Sequence, residues 1–453
     1  MSRDDQLPKR IKDHHRTALR NGTMSTMNEH RSATVRGGMS TPSGGFGARV
    51  LQLADRLAQW SEAPPALTCT YLTPAHRGAA AELKAWLTAA GMATEIDAVG
   101  NVVARRPSTD PAAKTVIIAS HYDTVVNAGR YDGRLGILVA LVVAEHLRDI
   151  QHALPFHLEI IGFSEEEGVR FSAPYIGSSA LAGRFDPRLL ALRDAAGLRL
   201  GDVMQQAGLD PAAIPALARR ADTLRAYLEV HIEQGPVLLE HDVPVGVVTS
   251  IAGNVRYRVS VNGRAGHAGT VPMAMRHDAA MAAAEIMLSV ERRCAEPPSL
   301  LGTVGKLNVP DGAINVIPGR CDLSLDIRAA DDATRDAAVA DILAEIERIA
   351  ARRGITADIT ETMRMPAVPC SEAIIEHLTA AVARAGLPVM TLASGAGHDA
   401  VMFDGLADLG MLFVRCGHGG ISHSPLETVT ADDVDIAARV LLDVLLHLDG
   451  DAG

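Results

Sequence analysis

Apolar positions recur at helical spacing over residues 48–61 and again over residues 78–90, which predicts two amphipathic helices. Beyond them, short wholly apolar runs alternate with longer helical patterns. Residues 115–120 and 157–163 read as buried strands, residues 135–148 as a helix between them, and residues 224–230 as a third strand. Apolar strands separated by helices predict a largely parallel sheet covered on both faces. At about Val247 the texture changes. Val255, Tyr257, Val259 and Val261 alternate with Arg256, Arg258, Ser260 and Asn262, as in a strand with one wet face. A helix over residues 273–293, strands over 302–309 and 322–328, a helix over 334–353 and a strand over 356–360 complete an α+β unit, antiparallel with two helices on one face. After Met365 the first texture returns: a helix over 372–385, a strand over 411–416 and a closing helix near 432–448. The expected architecture is α/β. A mostly parallel-sheet domain is built from residues 48–246 and 365–453, with an α+β domain of residues 247–364 inserted into it.

Composition narrows this. A length of 453 residues exceeds one ordinary core, and an apolar fraction of 47% excludes a disordered chain. No apolar run approaches the ~20 residues of a membrane span; the longest, residues 136–144, is ended by Glu145 and His146. Residues 1–47 differ from the rest, being polar, rich in Arg, Ser, Thr and Gly, and without apolar periodicity; they read as a disordered extension. No hydrophobic segment follows their basic residues, so they do not form a secretory signal, and Asp4, Asp5 and Asp13 argue against a transit peptide. Met24, Met27 and Met39 offer alternative starts.

The net charge is −11, and the first 47 residues carry eight Lys/Arg against four Asp/Glu, which leaves about −15 on the remainder. That balance argues against a nucleic-acid or anionic-membrane surface and for a small-molecule or cationic partner. The five cysteines are scattered, with no C-x-x-C pair. They form neither a disulfide framework nor a thiolate zinc site, and a reducing cytoplasm is the compartment such usage suggests.

The histidines matter more. His121 ends an apolar strand beside Asp123, and Asp132 follows in Arg130-Tyr131-Asp132-Gly133 just before a helix. Imidazole suits a borderline metal, and a neighbouring Asp commonly orients it through the second ring nitrogen. A strand-end His with turn-forming Asp residues explains this pair equally well. Ser164-Glu165-Glu166-Glu167-Gly168 also follows a buried strand. Such a run is usually a solvated loop, yet the carboxyl ends of strands in α/β sheets are where sites lie. There one carboxylate can bind a cation while its neighbour acts as a base. His231 opens a third cluster, His231-Ile232-Glu233-Gln234-Gly235-Pro236, and His423 stands in a Gly-rich fourth, Gly419-Gly420-Ile421-Ser422-His423-Ser424-Pro425-Leu426-Glu427. Each His alone is more often structural. Together His121, Asp132, Glu167, His231 and His423 suffice for two adjacent cations bridged by one carboxylate. In the inserted domain His267 sits centrally in a loop, and Asn315 with Arg328 makes either a carboxylate clamp or, on pattern alone, a surface Arg paired with Asp326 or Asp331.

The ordered motifs HxD, DG, EEEG-x-RF, LEVHIEQGP, GRAGHAGTVPM, GAINVIPG, LDIR, SGAGHD and SHSPLE resemble those of the M20 metallopeptidase clan, and more narrowly its hydantoinase/carbamoylase amidase branch. That branch holds N-carbamoyl-L-amino acid hydrolases, allantoate and ureidoglycolate amidohydrolases and β-ureidopropionases. The resemblance runs from about residue 50 to 447, and the HIEQGP segment points to the ureido-cleaving branch. It implies one metal on His121, Asp132 and His231, and another on Asp132, Glu167 and His423. It further implies Asp123 orienting His121, Glu166 as general base, His267 assisting at the oxyanion, and Gln234, Asn315, Arg328 and His398 on substrate. The inserted domain would be a lid and dimerisation domain whose residues reach the partner's site. Tyr122, Tyr131 and Asp311-Gly312 depart from the common pattern without touching a ligand position.

The implied activity is hydrolysis of an N-carbamoyl-L-amino acid to amino acid, CO2 and ammonia, in a homodimer carrying zinc or manganese, with cobalt or nickel also suited to the donors. Allantoate, ureidoglycolate and N-carbamoyl-β-alanine are the alternative substrates. A binding protein that has lost catalysis is disfavoured because Glu166 stands beside a full ligand set. No G-x-S-x-G elbow or P-loop lysine motif supports a serine hydrolase or an NTPase.

Overall fold

The computed structural model describes residues 45–448, so the extension expected over residues 1–47 lies, but for its last three positions, outside the described residues. The first helix, Gly45–Leu57, sets Phe46, Val50, Leu53 and Leu57 on one buried face. It lies against the closing helix Ala431–His447, where Asp435 Oδ1 accepts from Phe46 N at 2.6 Å. The second helix, Pro74–Ala89, starts four residues before its apolar periodicity becomes visible. Thr73 Oγ1 accepts from His76 N and Pro74 takes the first helical position, a start signal independent of hydrophobic spacing.

Strands β1 (Ala93–Ile96), β2 (Val102–Arg106), β3 (Thr115–His121), β4 (His157–Phe163), β5 (Leu224–Ile232) and β6 (Val245–Ile251) come first. The second sheet follows, with β7 (Gly253–Asn262), β8 (Gly266–His267), β9 (Leu300–Thr303), β10 (Leu307–Asn308), β11 (Val316–Ile317), β12 (Arg320–Ala329) and β13 (Thr356–Met365). Finally β14 (Val368–Pro369), β15 (Thr391–Ser394) and β16 (Asp408–Val414) return to the first sheet. Its order is β1-β2-β4-β3-β5-β16-β6-β14, with β15 beside β6. The centre, β4-β3-β5-β16, is parallel, and β2 and β6 flank it antiparallel.

The apolar runs of β3 and β4 are explained by burial on both faces. Val116, Ile118, Leu158 and Ile160 join the core under the helices Gly45–Leu57, Arg134–Asp149 and Ala431–His447, while Ile117, Ala119, Ile161 and Phe163 pack on the other side with Tyr227 and Phe403. At roughly 1.5–3 kcal/mol per fully buried aliphatic or aromatic side chain, these two layers dominate the stability of the sheet. From β3 the chain passes to β4 on one side, then crosses to β5 on the other. Such a reversal opens a crevice at the carboxyl ends of the strands. Among the described residues no helix is long and apolar enough to cross a membrane.

The second sheet runs β10-β12-β7-β13 with β9 beside β12, every pairing antiparallel. Val255, Val259, Val261, Leu323, Leu325 and Ile327 form its dry face, against the helices Ala279–Cys294 and Asp332–Arg353. Two elements differ from expectation. The helix expected from residue 273 begins at Ala279, because Asp278 caps it by accepting from Ala280 N and Met281 N, and residues 273–275 form only a short turn after Pro272. The strand expected over 302–309 is broken into β9 and β10, with Lys306 N donating to Ser324 Oγ between them.

Candidate metal centre

Four strand ends converge on one carboxylate. His121 closes β3, His231 lies near the end of β5, Glu166 and Glu167 follow β4, and His423 lies in the loop after β16. Asp132 precedes the helix Arg134–Asp149. Its Oδ1 stands 3.6 Å from His121 Nε2 and 3.3 Å from His231 Nε2, and its Oδ2 stands 3.2 Å from His423 Nε2. His423 Nε2 is also 3.6 Å from Glu167 Oε1. The donor atoms of His121, Asp132 and His231 lie within 4.8 Å of one another, and so do those of Asp132, Glu167 and His423. Asp132 belongs to both groups. His121 with Glu166 and Glu167, and Glu229 with His231 and His398, make two further groups of the same compactness.

Supporting contacts fix this geometry. Asp123, fully buried, accepts from Glu166 N at 3.0 Å and Glu167 N at 3.2 Å, and its Oδ1 lies 3.4 Å from His121 Nδ1. One carboxylate thus aligns three members of the cluster. His231 Nδ1 is directed at the carbonyl of Ile232, 2.9 Å away, which leaves Nε2 for Asp132. Gly133 has φ of +66°, and a Cβ there would fall 2.4 Å from the His121 ring, so only glycine allows this close approach. Gln234 and His423 also hold positive φ, a strain that clusters at functional sites.

The donor set fits a cation. Gln234 Nε2 lies 2.8 Å from Asp132 Oδ2 and 3.4 Å from His423 Nε2, so a single amide bridges two groups of the second triad. Its own Oε1 is buried and has no partner among the described residues. Neutral imidazole and carboxylate ligands without thiolate suit zinc and its first-row neighbours. Burial pushes the Asp132 carboxyl up, but the imidazoles of His121, His231 and His423 hold it well below the usual carboxylate range. Burial likewise opposes protonation of His121 and His231, while Asp123 and Asp132 draw the first up strongly and Asp132 raises the second. His423, bonded to Asp132, is raised to about 9. Glu167 is pushed to about 7, by burial and then by Asp132, and Glu166 well above the usual range by burial beside other carboxylates. A cation replaces the protons that such a cluster otherwise shares.

Of the other expected residues, His398 touches this knot and the rest sit apart from it. The His398 ring packs on His231, centroids 4.6 Å apart, and its Nε2 lies 2.8 Å from Ser394 Oγ. Arg328 gives Nε and Nη2 to Asp326 at 2.8 and 3.0 Å, the pairing that pattern alone favoured, and Nη1 to the Gly395 carbonyl at 2.8 Å. It lines a cleft of about 1420 Å³ that opens at Gln234 and runs over the wet face of the second sheet; none of the five metal-donor residues lines it. His267 and Asn315 stand close together, β8 pairing with β11 and Ala268 N donating to Asn315 O at 3.0 Å. Among the described residues no hydrogen bond or ion pair joins either side chain to the cluster around Asp132.

Some residues behind the site carried no individual signal. Glu427, buried, accepts from Tyr131 N at 2.8 Å and Asp132 N at 3.1 Å, so it fixes the turn presenting Asp132. Ser422 Oγ stands 2.8 Å from Asp132 Oδ2 and 3.0 Å from Glu427 Oε2. Burial, then the Asp132 charge, raises Glu427 to about 6. Glu229, beneath His121 and His231, accepts from Ser120 Oγ and Tyr227 OH, each at 2.9 Å. Motifs alone hinted at them: SHSPLE carries Ser422 and Glu427 on either side of His423, and LEVHIEQGP carries Glu229 two residues before His231.

The family model described as Peptidase family M20/M25/M40 matches residues 117–447. The N-carbamoyl-L-amino acid amidohydrolase of Geobacillus stearothermophilus is 38% identical over 405 residues, covering 89% of this chain and 98% of that protein. A probable allantoate deiminase of Oryza sativa subsp. japonica is also 38% identical, over 429 residues and 87% of each chain. Among solved structures, an amidase of the hydantoinase/carbamoylase family from Burkholderia multivorans aligns with a TM-score of 0.83 at 32% identity, covering 88% of this chain and 97% of that one.

Proposed function

The chain belongs to peptidase family M20/M25/M40, and on that premise we propose that it is a metal-dependent amidohydrolase cleaving the ureido C–N bond of an N-carbamoyl-L-amino acid. The products are the amino acid, CO2 and ammonia. The observation that carries this reading is Asp132, shared between His121 and His231 on one oxygen and His423 on the other, with Glu166 anchored alongside through Asp123.

We assign one divalent cation to His121, Asp132 and His231, and a second to Asp132, Glu167 and His423, with zinc, manganese, cobalt or nickel all compatible. Cations held there supply Lewis acidity and make water more acidic. Glu166 accepts the proton of the attacking water and returns it to the leaving nitrogen, a task suited to a carboxyl raised by burial. Asp123 keeps Glu166, Glu167 and His121 in register. Arg328 has five N–H donors; Asp326 and Gly395 engage three groups, Nε, Nη1 and Nη2, so two N–H bonds remain for a substrate carboxylate. Gln234 and His398 flank the metal ligands and serve as further substrate contacts. The inserted domain acts as lid and dimer interface, and in this reading its closure brings His267 to the developing oxyanion and Asn315 to the carboxylate. Exposed Met273, Met275, Met281 and Leu288 on that domain support a homodimer. Free cysteines at all five positions suit a reducing cytoplasm.

The rice relative, as similar as the bacterial carbamoylase, keeps allantoate as a second reading. Ammonia release by metal-loaded protein separates the two. The expected kcat/KM for N-carbamoyl-L-amino acids exceeds that for allantoate, ureidoglycolate and N-carbamoyl-β-alanine by more than about tenfold, the discrimination one good contact supplies. The reverse preference moves the substrate and keeps the chemistry. No release from any of the four contradicts the hydrolase reading.

A further inference from the structure

We propose that Tyr175 is a specificity-determining residue whose phenol hydroxyl donates a hydrogen bond to the substrate carboxylate held by Arg328. The inference rests on the hydrolase reading above and adds a third donor to its carboxylate clamp.

Tyr175 stands immediately before the short helix Ile176–Leu181, in the left-handed region at φ 62° and ψ 26°. A bulky aromatic residue rarely adopts that conformation, and strain of this kind persists where surrounding contacts impose it. Here the Glu165 carbonyl, next to Glu166, accepts from Ile176 N at 3.0 Å, and the Tyr175 carbonyl accepts from Ser179 N at 2.9 Å. The backbone is therefore tied to the segment carrying the general base.

The ring extends from there to a second segment of the site. A Cβ at Gly397 would fall 2.0 Å from the Tyr175 hydroxyl, so the phenol lies directly against the backbone at Gly397 and only glycine permits it. Two residues earlier in the same turn, the Gly395 carbonyl fixes Arg328 Nη1. The charges of Glu166 and Asp399 favour the neutral phenol, and those of Arg328 and Arg256 oppose them. Burial, then those carboxylates, raises its ionisation well above the ordinary range, so the hydroxyl remains a donor at any working pH.

That donor has no partner among the described residues. Tyr71, Tyr122, Tyr227 and Tyr257 each give their hydroxyl to a carbonyl or carboxylate at 2.7 to 2.9 Å. The half-buried Tyr175 makes no hydrogen bond through its hydroxyl to any of the described residues. A carboxylate seated on the two remaining Arg328 N–H groups keeps free lone pairs for a neutral donor. The phenol keeps a hydrogen that none of the described residues accepts.

Tyr175→Phe in the metal-loaded protein tests this. For an N-carbamoyl-L-amino acid, KM is expected to rise about 10- to 100-fold, the loss typical of a hydrogen bond to a charged group, with kcat changed less than about threefold and the melting temperature unaltered. For the same compound with its carboxylate replaced by a carboxamide, the rise is expected to be at least about threefold smaller, because the hydrogen bond lost is then neutral. An unchanged KM for the carboxylate substrate overturns the proposal. So does an equal rise for both, which would mean that the phenol merely braces the turn at Gly395–Gly397. A wild type that turns over no ureido carboxylate fails the hydrolase reading itself, and this inference falls with it.

Discussion

Glu166→Gln lowers kcat by about 10²- to 10⁴-fold, the range a positioned general base contributes, while metal content and KM stay near wild type. The amide keeps the size of the side chain and preserves the backbone N–H that Asp123 accepts at 3.0 Å, so the alignment of His121 and Glu167 is undisturbed. What disappears is the capacity to take a proton from water and hand it to the leaving nitrogen. Because the loss lies in proton transfer, single-turnover and steady-state rates should fall together. Elemental analysis of the variant beside its kinetics checks both halves: an equal fall in bound metal would make Glu166 a ligand instead of a base.

Asp132→Asn removes the residue common to both proposed cations, and the expected result is loss of the pair. Cation affinity is expected to fall by more than about 100-fold, beyond the 10- to 100-fold typical when a residue behind a ligand is changed, with hydrolysis reduced to background. The amide offers a cation one neutral oxygen where the carboxylate offers two charged ones, and leaves Ser422 Oγ and Gln234 Nε2 without the charge they now approach at 2.8 Å. Equilibrium dialysis against manganese measures the effect. A variant that retains one tightly bound cation would show that the two sites are independent and that Asp132 does not bridge them.

Much of the scaffold was legible because burial writes itself into composition. β3 and β4 stand out as apolar runs since residues on both of their faces are inside. β7 and β12 stand out by alternation since one face of their sheet is wet. β1 and β2 passed unnoticed: β1 is four largely exposed residues at an edge, with no period to detect. The stretch 182–223 holds three 3-10 segments and one α-helix, none longer than seven residues and each below the length at which helical spacing shows. β6 is continuous with β7 in its valine-rich texture, which hid the passage from one sheet to the other.

At the site, the cluster around Asp132 was foreshadowed because each donor sits at a strand end or in the polar loop that follows one. The contacts that orient it were not. Glu427 meets Tyr131 across 296 positions and Ser422 meets Asp132 across 290, separations over which no local pattern exists. Tyr175 gave no sign either, since its meaning lies in a glycine far along the chain at position 397. Arg328 pairs with Asp326, the alternative that pattern alone favoured, and because the residue also lines the cleft, that pairing leaves the clamp proposed above compatible with the same guanidinium.

The most direct test of a two-cation hydrolytic centre is a manganese titration of metal-stripped protein with ammonia release followed at each step. The expected result is activity that appears only with metal and saturates at about two cations per chain, with Glu166→Gln binding the same number and releasing no ammonia above its background. Full activity in the stripped protein, or saturation of both binding and activity at a single cation, would contradict the bridged pair on Asp132.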